Sequence, residues 1–342
     1  MDELILLPDT ESSIQSLGVE HQAAARAFVQ FYRDKDAYSP NTLKSLRLTM
    51  TSWVKWCRAR GIDWFPVAPD TVRAYLLSLS DSGMASTSIT RHLAMLNMML
   101  VQCGQPSMAG NQVVGLAMKK IRRDAVTAKG ERTGQAVPMR LADAKLIDVL
   151  LLRTGRLVDL RNRAFLYMAY NTLLRMAEMS RIRVRDLETT GDTVTLHVGH
   201  TKTSATAAGI DKILSRRTVS ALNDWLDASG LRDHPDMVLF PPVHRSNKAR
   251  FTETPLTAPA LEKIFSDAWS LLDKKDIAMN KGRYATWTGH SARVGAALDM
   301  SESGVPLSEI MREGGWKKAE TLMRYLRSSS MSVGANSKLM DL

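Results

Sequence analysis

The chain has 342 residues, with 46 Lys+Arg against 35 Asp+Glu, a formal net charge of +11 and a pI of about 9.7. Its 44% hydrophobic and 24% charged content excludes a mainly disordered chain, and the length fits two or three domains. Two cysteines, Cys57 and Cys103, are too few for a disulfide framework or a structural zinc site, and no apolar run reaches membrane-spanning length. The opening MDELILLPD has acidic flanks and no positive n-region, against a secretory signal. What remains is a basic protein with an anionic partner, and nucleic acid is the first candidate.

The first 18 residues read as a mobile tail. Helices are predicted over 19–35, 40–60, 69–82, 86–103 and 111–126, separated by turns such as Ser82-Gly83 and Gly104-Gln105-Pro106. The second helix is the most explicit. Ser39-Pro40 is an N-cap followed by proline at the first helical position. Leu43, Leu46, Met50, Trp53, Val54 and Cys57 recur at helical spacing, and Gly61 is the stop. Between Ser39 and Gly61 stand Lys44, Arg47, Lys55, Arg58 and Arg60, with no acidic residue. Such a helix buries one face and offers the other either to solvent or to phosphates. A second basic cluster, Lys119-Lys120-Ile121-Arg122-Arg123, ends the fifth helix. The polar segment 127–138 then reads as a linker.

Beyond it the pattern mixes helices with a small sheet. Helices are predicted at 141–153, 157–173, 175–180, 216–229, 257–272, 290–303, 306–313 and 318–327. Thr193–Val198 alternates as a strand does, and a second short strand follows over 207–214. The expected domains are therefore a tail (1–18), a helical bundle (19–126), a linker (127–138), a larger α+β domain (139–327) and a C-terminal segment (328–342).

Several polar residues in the second half stand where a plain helix has no need of them. Arg175 and Glu178 are three apart among apolar neighbours, a spacing that puts them on one helical face. They make either a structural ion pair or an anion site. His290 and Arg293 have the same spacing, with Gly289, Ser291, Ala292 and Gly295 around them. Small residues permit close packing or close approach of a ligand. Two arginines and a histidine brought together suit a phosphate that gains negative charge. Gly314-Gly315-Trp316 ends one helix, and the next carries Tyr325 next to Arg324. A tyrosine among cations either packs its ring or serves as a nucleophile. Lys202 sits in the turn after the first strand, a place usually left to solvated lysines.

Each motif alone is weak, but their order is specific. R-x-x-E, a hairpin Lys, H-x-x-R, G-G-W and a Tyr nine residues later resemble the tyrosine recombinase (phage integrase) family. The resemblance runs from Phe28 to Met340 and is carried by segments such as AYNTLLRMAE, RIRVRDL, LNDWLDASGL, GHSARVGAA and EIMREGGW. It implies a mainly α fold, with an N-terminal helical core-binding (SAM-like) domain and a larger catalytic domain with a small antiparallel sheet. It implies Tyr325 as nucleophile, Arg175 and Arg293 as phosphate clamps, and His290 as partner in proton transfer. Lys202 becomes the leaving-group acid, Trp316 an indole donor and Glu178 an orienting group. No metal or other cofactor is expected.

The same resemblance implies double-stranded DNA with inverted-repeat arms around a short spacer as the partner, and a homotetramer on two such sites joined through Ser332–Leu342. It implies no membrane and a cytoplasmic place of action, in a bacterial host or from a phage. Expected DNA contacts are Lys44, Ser45, Arg47, Ser86, Thr87, Arg91, Lys119, Lys120 and Arg122 in the first domain. In the second they are His244, Arg245, Lys248, Arg250, Pro259 and Glu262. At Pro259 and Arg91 the chain departs from a phage member of the family that has Arg and Gln there, so a different target sequence is expected. Three rivals stand beside this reading: an integrase or dimer resolvase that needs accessory proteins, a topoisomerase that only relaxes supercoils, and a DNA-binding protein without catalysis. The complete set of site residues speaks against the last.

Overall fold

The computed structural model describes Gln15 and residues 18–131, 134–199, 209–272 and 285–326. The expected tail, the Lys202 turn and the C-terminal segment thus lie wholly or almost wholly outside the described residues. The chain divides into two compact units, Met1–Thr133 and Gly134–Leu342.

The described part of the first unit contains α1 (Val19–Arg33), α2 (Pro40–Arg58), α3 (Pro69–Asp81), α4 (Ser86–Gln102) and α5 (Gln112–Thr127). The Ser39 hydroxyl caps α2, accepting from the Thr42 N–H at 3.2 Å. Asn111 caps α5 in the same way, through the N–H groups of Val113 and Val114. The stripe of α2 buries Leu46, Trp53, Val54 and Cys57, while Lys44, Arg47, Lys55 and Arg58 stay exposed. Trp53 meets Tyr75 of α3 edge-on at 5.1 Å, and the Tyr75 hydroxyl bonds Ser52 and His92. Burying large side chains of this kind contributes roughly 1.5–3 kcal/mol each. Ile89 and Leu96 of α4 and Val114, Met118 and Ile121 of α5 complete that core.

The second unit contains α6 (Leu141–Leu152), α7 (Leu157–Thr172), α8 (Met176–Met179), β1 (Leu187–Thr190), β2 (Thr193–Val198), β3 (Ile210–Ile213), α9 (Arg216–Ser229), β4 (Val243–His244), β5 (Lys248–Ala249), α10 (Ala258–Ser270), α11 (Ser291–Glu302), α12 (Leu307–Gly314) and α13 (Ala319–Leu326). Helix α7 is buried on nearly every side. Its Phe165 meets Phe240 and Phe265 edge-on, and Trp225 of α9 lies in the same core. A second core gathers Val294, Ala297 and Leu298 of α11 with Ile310, Trp316 and Leu322.

The sheet differs from the sequence expectation. It has three antiparallel strands in the order β1-β2-β3, with Leu187 and Lys212 on either side of Leu196, and β4 and β5 form a separate hairpin. The additional strands are short and largely exposed, so they carry no apolar alternation to read.

The segment 127–138 is engaged at both ends. The Glu131 carboxylate accepts from the Ser86 N–H and hydroxyl, and Lys129 bonds Ser80. Ala136 and Val137 are buried in the second unit, where the Met139 N–H donates to the Ser291 carbonyl.

Candidate active site

The site is assembled from four helix ends in the second unit. The first is the end of α7. Leu173 adopts a left-handed φ of 54°, a conformation that costs a side-chain-bearing residue ~1–3 kcal/mol. It separates α7 from α8, where the sequence also places the division between 157–173 and 175–180. Arg175 is the N-cap residue of α8, paired with Glu178 three residues on. Glu178 takes both ends of it: the Arg175 N–H donates to Oε2 at 2.8 Å and Nη1 to Oε1 at 3.0 Å. Glu178 is buried and the Arg175 side chain is part-exposed, so the guanidinium is held while still reachable.

The second end is the start of α11. His290 is the N-cap residue and exposed, and Arg293 lies one turn further in, 4% exposed. Gly289 leaves room for Met176: a Cβ there would stand 2.0 Å from the Met176 Sδ, so that side chain would have to shift. This contact sets the His290 turn beside the residue that follows Arg175. Glu262 of α10 steadies the same turn by accepting from the Gly289 N–H at 3.1 Å.

Arg293 is the centre. Nη1 donates to the Leu173 carbonyl and Nη2 to the Gly314 carbonyl, the third helix end. Trp316 covers its face at 4.3 Å. Burial and the like charge of Arg175 lower its pKa to about 10, opposed by Tyr325 and Glu178. An anion delivered here would favour the charged form. Helix α12 stops because Gly315 takes a left-handed φ of 62°, and Gly314 gives way to the Trp316 ring, which a Cβ would meet at 1.9 Å.

The fourth end carries Tyr325, on α13 and half-buried. Its ring lies 5.5 Å from that of Trp316. Its backbone carbonyl accepts from Gln135 Nε2 at 2.8 Å, a contact across 190 residues that no motif announces. Arg175, Glu178, Arg293, Trp316 and Tyr325 are thus brought into one constellation, with His290 on the adjoining turn. Lys202 lies outside the described residues.

Two protein families match this chain. The phage integrase family matches residues 143–331, and its N-terminal SAM-like domain matches residues 25–100. The chain belongs to the phage integrase family. It is a site-specific tyrosine recombinase, an enzyme that cleaves and rejoins DNA strands, and passage through a Holliday junction is typical of this family. It is 40% identical to recombinase Cre of Escherichia phage P1 over 92% of this chain and 91% of that protein. It is 24% identical to an integrase/recombinase XerD homologue of Selenomonas ruminantium, over 85% of this chain and 82% of that one. In fold it is similar to the Tn1549 transposon integrase, solved with transposon right end DNA (TM-score 0.61, 13% identity, 93% and 98% of the two chains). It is also similar to a lambda integrase dimer bound to a core site (TM-score 0.56, 13% identity, 90% and 97%). The fold class of a phage integrase, mainly helical with a SAM-like first domain and small antiparallel sheets, agrees with the sequence expectation.

The other expected contact residues fall on exposed or half-exposed surface. Lys44, Ser45 and Arg47 lie on α2, Ser86, Thr87 and Arg91 on α4, and Lys119, Lys120 and Arg122 on α5. Ser86 is already occupied by Glu131. His244, Arg245, Lys248 and Arg250 are exposed around the β4–β5 hairpin. Pro259 and Glu262 line an open cavity of about 540 Å³ beside α10, with Trp287 at its wall. Among the described residues, no helix is long and apolar enough to cross a membrane.

Proposed function

We propose that Tyr325 attacks a scissile phosphate of duplex DNA. Its oxygen bonds to phosphorus, the bond to the 5′ oxygen breaks, and a 3′-phosphotyrosyl link forms. His290 takes the tyrosine proton and Lys202 gives one to the leaving 5′ oxygen. Arg175 and Arg293 hold the non-bridging oxygens, Trp316 donates its indole N–H, and Glu178 orients Arg175. Attack by a 5′ hydroxyl from another strand reverses the step and frees Tyr325, so rejoining needs no ATP. The observation that carries this reading is Arg293: a buried guanidinium held by two backbone carbonyls, with Trp316 over its face and the Tyr325 ring 5.5 Å from that of Trp316. Fixed donors of this kind are typically worth ~2.7–4 kcal/mol each in the transition state.

DNA as partner is supported by the complexes solved for the lambda and Tn1549 integrases. The exposed basic residues of α2, α4, α5 and the β4–β5 hairpin are read as phosphate and base contacts, and the cavity at Pro259 as part of the base-reading surface. Pro259 replaces an arginine of Cre, and some segments also resemble Dre, so the target is read as different from that of Cre and nearer that of Dre. The substrate is read as an inverted repeat around a short spacer, bound by four copies across two sites. The C-terminal segment 328–342 is read as the link between copies.

The test is covalent trapping on a nicked suicide duplex. The parent chain is expected to form a protein–DNA adduct, and Tyr325→Phe to bind the duplex equally well without forming one. An adduct from the Phe variant would remove Tyr325 from its role.

A further inference from the structure

We propose that Lys212 is a positioning residue for strand cleavage, tying the β2–β3 hairpin to the corner that holds Arg293 and Trp316. The proposal deepens the reading above and rests on the hairpin turn supplying the leaving-group acid.

Lys212 lies on β3, opposite Leu196, and is only 8% exposed. A lysine so deep is costly unless its charge is paired and bonded. Its partner is remote in sequence. Nζ donates to the Glu313 backbone carbonyl at 2.5 Å and lies 3.2 Å from Glu313 Oε2. Glu313 belongs to the last turn of α12, where carbonyls lack helical partners and the helix dipole is negative. The next carbonyl in the chain, Gly314, accepts from Arg293. Two cations thus cap one helix end, Arg293 from the reaction centre and Lys212 from the sheet.

The arrangement has a mechanical meaning. Among the described residues β3 is an edge strand, paired with β2 alone. Its far end is steadied by Asn171, whose amide donates to the Ile213 carbonyl, while Lys212 lies one residue nearer the turn. A proton donor on that turn must meet the same phosphate that Arg293 clamps. The Lys212–Glu313 contact fixes the strand against the helix end that Arg293 itself uses. Arg293 retains the Leu173 carbonyl and the Trp316 face without Lys212, so losing Lys212 frees chiefly the hairpin.

The experiment compares two suicide duplexes in single-turnover cleavage, one with the ordinary 5′ oxygen and one with sulfur at the bridging position. A thiol is far more acidic than an alcohol, so the sulfur leaves without a proton. Lys212→Met is expected to slow cleavage of the oxygen substrate by about 10–100-fold, the usual loss when a supporting partner is removed. On the sulfur substrate it is expected to regain nearly the parent rate. Lys212→Arg, which keeps the cation, is expected to fall between the two, with DNA affinity unchanged in both variants. Equal losses on both substrates, or no loss on either, would overturn the proposal. Lys202→Ala run alongside separates the two readings: failure of sulfur to rescue it removes Lys202 as the acid, whereas rescue of Lys202→Ala but not of Lys212→Met removes the positioning role alone.

Discussion

Gly295→Ala in α11 sets helix propensity against close packing, and the two predict opposite signs. In a helix interior alanine is more favourable than glycine by about 1 kcal/mol. At this position, however, a Cβ would stand 1.8 Å from the Met139 carbonyl oxygen and 2.4 Å from its carbon. The obstacle is backbone, which no rotamer change can move aside. It is also tethered: the Met139 N–H donates to the Ser291 carbonyl, and the Trp287 indole donates to the Pro138 carbonyl at 3.2 Å. Overpacking costs roughly 1–3 kcal/mol, and weakening the two hydrogen bonds adds ~0.5–1.5 kcal/mol each. Less the gain in propensity, the net loss is about 3 kcal/mol, which lowers the Tm of a unit this size by roughly 6–12 °C. Thermal unfolding followed by circular dichroism reads it directly. Activity should fall with it, because Arg293 lies two residues upstream on the same helix. A Tm equal to or above that of the parent chain would show that Gly295 is not there for the close approach.

Three further outcomes are expected. DNA affinity should fall with added salt, with log K changing by about −0.9 per phosphate neutralised for each unit of log[salt], and Lys44→Ala should flatten that slope by about one phosphate. A slope unchanged in Lys44→Ala would remove α2 from the phosphate contacts. Glu131→Gln removes the charge that receives the start of α4 and should destabilise the first unit by about 1 kcal/mol, read by urea titration; no change in midpoint would mean that the contact is only incidental. Met176→Ala should make room for Gly289→Ala, so the double variant should cleave better than Gly289→Ala alone, and equal rates would refute the role given to that contact.

Much of this architecture was legible because its causes are local. The apolar stripe of α2 and its Ser39 cap are written within 19 residues, and the observed helix is Pro40–Arg58. The order of Arg175, His290, Arg293, Trp316 and Tyr325 was enough to suggest one site. What escaped was set by distant partners. The division between 157–173 and 175–180 was legible, but not the left-handed turn at Leu173, whose carbonyl meets Arg293, 120 residues away. Lys212 looks like any lysine of a polar strand until Glu313 is seen beside it, and Glu131 like any linker acid until Ser86 is. β1 was missed because three of its four residues face solvent and leave no alternation.

The two carbonyls that grip Arg293 bear on how the chain is made. One belongs to the end of α7 and the other to the end of α12, 21 residues beyond Arg293 itself. A ribosome releases the first long before the second, since domains emerge N-terminus first. Until α12 and α13 have left the exit tunnel, the guanidinium lacks its second anchor and Tyr325 cannot pack beside Trp316. A half-made chain can therefore fold its first unit before the corner around Arg293 exists. The corner around Arg293 is thus assembled only after α12 has followed α7 off the ribosome.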